Sequence, residues 1–322
     1  METKYRERKK WHENGRRKLH EFYIDGKREG ESRVWYENGQ LQAQAFYQDG
    51  NLHGIKTYWL KDGKISRKEC YKNGKLDGEL IHWRENGKIW VHEFFRNGVR
   101  HGECKNFHEN GQLWEQESYF EGKLEGERKM WTEDGKLHVQ EFYHNGWRDG
   151  ERKCFYDNGQ IMEHMFYDRG YPTGTRLEFY DNGNIRNRSS FLYYKLHGEY
   201  RSWHSNGRLQ DLRYYLCGTL EGYKSWYDNG NPFTQTCYIH GTATGEYKQW
   251  GRESGKIIEH RFNMGGQLFG HDFAIRKKLG ILDVKRFLHS RIFYRKLNSL
   301  SSFLITDLNK MISKNSGCND ST

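Results

Sequence analysis

The sequence predicts an all-β protein: an elongated, single-sheet antiparallel β-meander of eleven 24-residue hairpin repeats, followed by a short α-helical tail. Three observations predict it. Glycine recurs at a fixed step, aromatic residues keep the same step, and the apolar content is too thin for a two-layer core. Of 322 residues only 34% are hydrophobic, yet 16% are aromatic and 36 are glycine against 2 proline. A chain this rich in aromatics folds rather than staying disordered.

The repeat comes first, because an overlooked period would misassign everything built on it. Gly30, Gly54, Gly78, Gly102, Gly126, Gly150, Gly174, Gly198 and Gly222 stand 24 residues apart. A second series follows nine residues behind, from Gly39 through Gly207. A third runs from Gly26 to Gly266 and is broken only by Tyr194. The units cover residues 5–270.

Within a unit each element has its own reason. "ESRVWY" (31–36) has strand length and β-branched or aromatic character. Glu37-Asn38-Gly39 then marks a hairpin, because a type I′ turn needs positive φ at both central residues and Asn-Gly supplies it. "LQAQAFY" (41–47) is the returning strand. By simple alternation Leu41, Ala43, Ala45 and Tyr47 share one face, and Gln42, Gln44 and Phe46 the other. "QDGNLHG" (48–54) turns the chain into the next unit. Two strands per unit advance the sheet by about 10 Å, so eleven units extend roughly 100 Å.

The aromatics form ladders. Trp35, Trp59, Trp83, Trp131, Trp203 and Trp226 stand four residues before a turn glycine, and Tyr47, Tyr71 and Tyr143 hold a second recurring position. They are the candidate structural or interaction residues, each stacking on its equivalent in the next unit.

Units such as "GELIHWRENGKIWVHEFFRNGVRH" (78–101) and "GERKMWTEDGKLHVQEFYHNGWRD" (126–149) resemble MORN repeats of the variant form G-E-x-x-x-x-W-Y-x-N-G-K-L-x-x-x-x-F-Y-x-N-G-K-x-x. The resemblance implies an elongated twisted sheet acting as an interaction or scaffold module, with lipid attachment proposed for some arrays. It implies no catalysis. Similar variant arrays occur in bacterial proteins and large DNA viruses.

The net charge of +10 is uneven. Residues 1–20 hold eight Lys or Arg against three acids, and residues 271–322 hold ten against four, so the stretch between them is nearly neutral. After Gly270 the repeat stops. Ile281, Val284, Leu288 and Ile292, then Leu297, Leu300, Leu304, Leu308 and Met311, form two helical stripes. Residues 271–314 are therefore expected to form a helical cap or a docking tail carrying Lys285, Arg286, Arg291, Arg295 and Lys296. Residues 315–322 are expected to be a disordered end.

Catalytic and metal motifs are missing from the sequence. The six cysteines lack a CxxC pair or regular framework, which suits free thiols in a reducing compartment. His12, His108 and His204 share a repeat position but lie four units apart, too far to share an ion. The acids before the turn glycines are about 10 Å apart from unit to unit, too far to converge on calcium. No phosphate-binding loop or nucleophile elbow stands out from the glycine repeat. No cofactor, metal or small-molecule substrate is expected, and no enzyme activity. Lys9, Lys56, Lys105, Lys129, Lys153, Lys224 and Lys248 recur in first strands and could line a basic stripe. The sequence shows neither a signal peptide nor an 18-residue apolar run, so an intracellular, cytoplasmic protein is expected. The reading is a non-enzymatic repeat scaffold with another protein as partner. The alternative is a peripheral binder of anionic membrane or nucleic acid through the basic ends.

Overall fold

The computed structural model describes residues 4–192, 194–264 and 267–271. The expected helical tail, with Lys285, Arg286, Arg291, Arg295 and Lys296, and the end 315–322 lie outside the described residues. The chain divides between Phe233 and Thr234 into two units.

The first unit is all-β and antiparallel, each strand pairing with the next in chain order. Tyr5–Trp11 pairs with Arg17–Ile24, which pairs onward with Lys27–Arg28 and Gly30–Trp35. Gly30–Trp35 pairs with Leu41–Gln48, which hands on to Asn51–Leu52 and Gly54–Trp59. The same scheme continues to Thr219–Trp226. The second unit repeats it, with Pro232–Ile239, Thr242–Trp250, Ile257–Met264 and Gln267–His271 pairing in succession.

The two turns of the repeat differ, and the type I′ geometry lies in the opposite place from that expected. At the Asn-Gly turn only the glycine has positive φ, 89° at Gly39. Five residues separate the paired Trp35 and Leu41, too many for a two-residue turn. Tyr36 accepts from the Gly39 N–H and donates its own N–H to the Gln40 carbonyl, giving a three-residue loop closed by a left-handed glycine. Asn38 Oδ1 accepts from the Gln40 N–H at 3.0 Å, and its Nδ2 donates to the Lys61 carbonyl of the next repeat at 2.8 Å. Asn14, Asn110, Asn158, Asn182 and Asn206 bridge repeats the same way. The asparagine is retained for its amide, which ties one turn to the next.

The return turns carry the I′ signature. Asp25, Asp49, Asn73, Asn97, Glu121, Asn145, Arg169, Cys217 and His240 have φ between 47° and 51°, each followed by a glycine that also has positive φ.

The second correction concerns the faces. Val34 pairs with Ala43 but Trp35 pairs with Leu41, so Gln42 is a bulge. Consecutive residues alternate and paired residues share a face, so Leu41 lies opposite Ala43, Ala45 and Tyr47 rather than beside them. Trp90 confirms the switch: it occupies the Gln42 position, and its ring lies 5.8 Å from His82, the partner of Val91. The bulge thus puts the Trp and aliphatic ladders on one face and the Tyr ladder on the other.

Candidate interaction surface

The face bearing Ala45 and Tyr47 is the buried one, and its core is acidic. Glu21, Glu69, Glu93, Glu117 and Glu141 occupy the Ala45 position, and all are buried. A carboxylate removed from water needs hydrogen-bond donors and a countercharge, and the repeat supplies both. Two residues on, a ladder tyrosine donates its hydroxyl: Tyr23 to Glu21 at 2.9 Å, Tyr71 to Glu69 at 3.0 Å, Tyr119 to Glu117 at 2.8 Å and Tyr143 to Glu141 at 2.9 Å. Arginines from the following return turn add charge: Arg28 on Glu21 at 3.0 Å, Arg100 on Glu93 at 2.6 Å and Arg148 on Glu141 at 2.9 Å. The same guanidinium groups lie over the next repeat's ladder rings, Tyr47, Tyr119 and Tyr167, at 5.1–5.6 Å.

The network is densest between Glu115 and Glu178. Arg128 bonds Glu115, reaches Glu117 at 3.4 Å and bonds Glu141 at 2.6 Å. Arg152 bonds Glu163 and stands 3.4 Å from Glu141. Arg176 holds Glu163 and Glu178 at 2.5 and 2.6 Å. Burial pushes the Glu117 carboxyl up, and neighbouring Glu115 adds to it, against weaker pulls from Tyr119, Arg128 and Arg100. At Glu141 burial also raises the carboxyl, but hydrogen bonds from Arg128 and Tyr143 and the charges of Arg148 and Arg128 win, leaving it lowered. These acids are satisfied by neighbours and hold the sheet together. A signal for them exists in the sequence, a glutamate two residues before the ladder tyrosine at the 24-residue step, but an acid in a strand reads as exposed.

On the other face the recurring lysines meet glutamates. Lys9, Lys105, Lys129, Lys153 and Lys248 pair with Glu7, Glu103, Glu127, Glu151 and Glu246 at 2.6–2.8 Å. The lysine hydrogen bonds hold Glu7, Glu103, Glu127 and Glu151 below the usual carboxylate range. Across the strand a histidine takes the second oxygen, as His92 does on Glu79 at 2.9 Å and His164 on Glu151 at 2.7 Å. Five of the seven recurring lysines are therefore neutralised where they stand. Lys56 lies over the Tyr58 ring instead, at 4.8 Å.

The predicted ladder residues Trp35, Tyr47, Trp59, Tyr71, Trp83, Trp131, Tyr143, Trp203 and Trp226 are all half-buried. His12, His108 and His204 place Nε2 against the carbonyls of Trp35, Trp131 and Trp226 at 2.8–3.2 Å. Among the described residues no group of three His, Cys, Asp or Glu is placed to hold a metal ion, and no helix is long and apolar enough to cross a membrane. Cys70, Cys104, Cys154 and Cys217 are thiols.

The surface that sequence reasoning missed runs along the return turns. Val99, Phe120, Trp147, Tyr171, Leu192, Tyr194 and Leu216 are exposed there, from 41% at Leu192 to 63% at Trp147. They come from successive repeats. Trp147 packs over Gly170 of the next turn, close enough that a Cβ on that glycine would stand 3.0 Å from its ring. The Tyr171 and Tyr194 rings lie 5.3 Å apart, tilted by 38°. Tyr194 stands at the third-series glycine position and keeps a left-handed φ of 59°. In the repeats before Val99 its position is held by Lys27, Asn51 and Lys75, so the stripe has a defined start. Only the fold shows it, because its members sit at three different repeat positions, one on each side of the turn and, at Tyr194, one within it.

The MORN repeat variant family model matches residues 28–49, 52–73, 100–121, 124–145, 148–169, 172–193 and 196–216. No curated protein matches the chain. Among solved structures, a chain in the crystal structure of TcdB2-TccC3-Cdc42 is similar at 9% identity and a TM-score of 0.16. The match covers 80% of this chain and 19% of that one. Seven family matches in step with the glycine series, on hairpins that pair in chain order, make this chain a MORN repeat-containing protein.

Proposed function

We propose that the protein is a non-catalytic intracellular scaffold that holds a partner protein along the return-turn edge of its first unit. The observation that carries this reading is the exposed stripe of Val99, Phe120, Trp147, Tyr171, Leu192, Tyr194 and Leu216. Large apolar side chains scattered singly on a surface need no explanation, whereas exposed aromatic and aliphatic side chains recurring on successive return turns favour an interaction site. Tyr194 adds weight. A bulky residue in a left-handed turn costs roughly 1–2 kcal/mol, a cost that glycine would avoid. Lys123 and Lys195 stand within the stripe, paired with Phe120 and Leu192, and give it polar points among the apolar ones. The pairing of five of the seven recurring lysines with glutamates speaks against nucleic acid as the ligand of that row.

The test compares quantitative capture from source lysate by the wild-type chain and by a Trp147→Ser/Tyr171→Ser variant. Each anchor is expected to be worth about 2 kcal/mol, so the double change should weaken capture by two orders of magnitude or more. Glutamate substitutions at Lys105 and Lys129 should leave capture unchanged. A specific partner that binds both chains equally would overturn the reading, and so would one lost only with the lysines.

A further inference from the structure

Tyr5–Trp11 pairs on one side with Arg17–Ile24, and among the described residues no strand pairs with its other side. Further along the sheet each first strand has a neighbour there. Gly126–Trp131, for instance, is flanked by Leu113–Phe120, with Glu115 opposite Met130 and Gln116 opposite Lys129. Those repeats show what the open edge lacks.

Arg8 lies five 24-residue steps before Arg128, at the same place in the repeat. Arg128 is held by Glu141 of its own hairpin and by Glu115 and Glu117 of the preceding strand. Arg8 has the first kind of partner, Glu21 at 3.7 Å, and among the described residues no counterpart of the second. Lys10 corresponds to Met130, so it faces the place that Glu115 occupies further on. Arg6, Arg8 and Lys10 alternate along the strand and share one face, with Arg6 and Lys10 exposed. Three cations thus line the face on which an incoming strand would place alternate side chains.

We propose that this edge receives an extended acidic segment of a partner protein. The segment adds to the sheet antiparallel to Tyr5–Trp11, with the pattern E-x-E-x-aromatic set by Glu115, Glu117 and Tyr119. Main-chain bonds to the open edge supply affinity, and the alternating carboxylates select the register. The cations disfavour edge-to-edge pairing with the same strand of a second copy, since like charges across a ladder repel. The last hairpin of a second copy does not fit either: Ile257–Met264, where Arg261 stands at the Glu117 position, already pairs with Gln267–His271. This site is separate from the aromatic stripe and stands or falls independently of it.

The experiment titrates full-length protein with a labelled, end-capped peptide copying residues 113–120, LWEQESYF, and with a version carrying Lys in place of both Glu. The acidic peptide is expected to bind and the lysine version to bind at least about tenfold more weakly. In an Arg8→Glu/Lys10→Glu variant, shown to be folded by an unchanged circular dichroism melt, the preference should reverse. For the wild-type chain alone, affinity for the acidic peptide should fall as salt rises. Binding of neither peptide, equal affinity for both, salt-independent binding, or undiminished acidic-peptide binding by the folded variant would each overturn the proposal. Concentration-dependent self-assembly of the wild-type chain that Arg8→Glu abolishes would also overturn it, by making the edge a self-interface.

Discussion

Glu117 and Glu141 occupy the same place in adjacent repeats, yet their surroundings give opposite expectations for the same substitution. Glu141 is 1% exposed and accepts from Arg128 at 2.6 Å, Tyr143 at 2.9 Å and Arg148 at 2.9 Å. Glu141→Gln keeps the shape but turns an acceptor oxygen into a donor NH2 facing one of the arginines. At least one charge-assisted hydrogen bond is lost, for about 2–3 kcal/mol. Glu117 has one arginine at 3.4 Å and a like charge on Glu115 nearby, and its carboxyl is raised. Glu117→Gln removes a charge the fold disfavours and leaves Tyr119 an acceptor, so it should be neutral or stabilising near pH 7.

The assay is native-state hydrogen exchange, read on Leu137–His144 and Trp147–Phe155 for Glu141 and on Gly102–Phe107 and Leu113–Phe120 for Glu117. Local opening there should rise about thirtyfold or more in Glu141→Gln and stay level or fall in Glu117→Gln. The pH dependence follows from the signs. The lowered Glu141 contributes stability that is full above its unfolded-state value of about 4.3 and is lost as pH falls through the lower folded value. The gap between wild type and Glu141→Gln should therefore close in acid. For the raised Glu117, the contribution is present in acid and lost as pH rises through the folded value, so any benefit of Glu117→Gln should appear at neutral pH. If both variants shift opening in the same direction and by similar amounts, the ion-pair account of this face is wrong.

Further outcomes follow from single contacts. Asn158→Asp keeps the acceptor for the Gln160 N–H but loses the amide that donates to the Asp181 carbonyl at 2.8 Å. It should cost about 1 kcal/mol, read as faster exchange at the turns it joins. Tyr194→Gly relieves the left-handed strain and should stabilise by up to about 1 kcal/mol in urea titration while weakening partner capture. Gly78→Ala should destabilise by more than about 1 kcal/mol in the same titration, since φ is 111° and the new Cβ would sit 3.0 Å from the Cys70 Cβ. Burial pushes the Cys104 and Cys154 thiols up. Native-state alkylation at pH 8 should therefore modify exposed Cys217 and spare those two until the chain is unfolded.

How far the sequence reached can be judged from particular residues. The glycine step and the chain-order hairpins were legible because each repeat contacts its neighbours, so a local period becomes the fold. The type I′ assignment at Asn38-Gly39 failed because Asn-Gly serves two loop lengths, and the register across the turn distinguishes them. Leu41 was given the wrong face because a single bulged residue, Gln42, inverts the alternation.

By itself, then, the sequence determined the class, the period and the family, since these depend on spacing along the chain. Tertiary structure alone decided which polar groups are shielded from water and which apolar groups are left in it. Glu141 is buried because the strands on either side bring Arg128, Arg148 and Arg152 to it, beside Tyr143 of its own strand. Trp147 and Tyr171 are exposed because the return turns place them at the sheet margin, where nothing in the repeat covers them. Burial is a property of the environment that other strands create, and it is not encoded in the spacing of one strand.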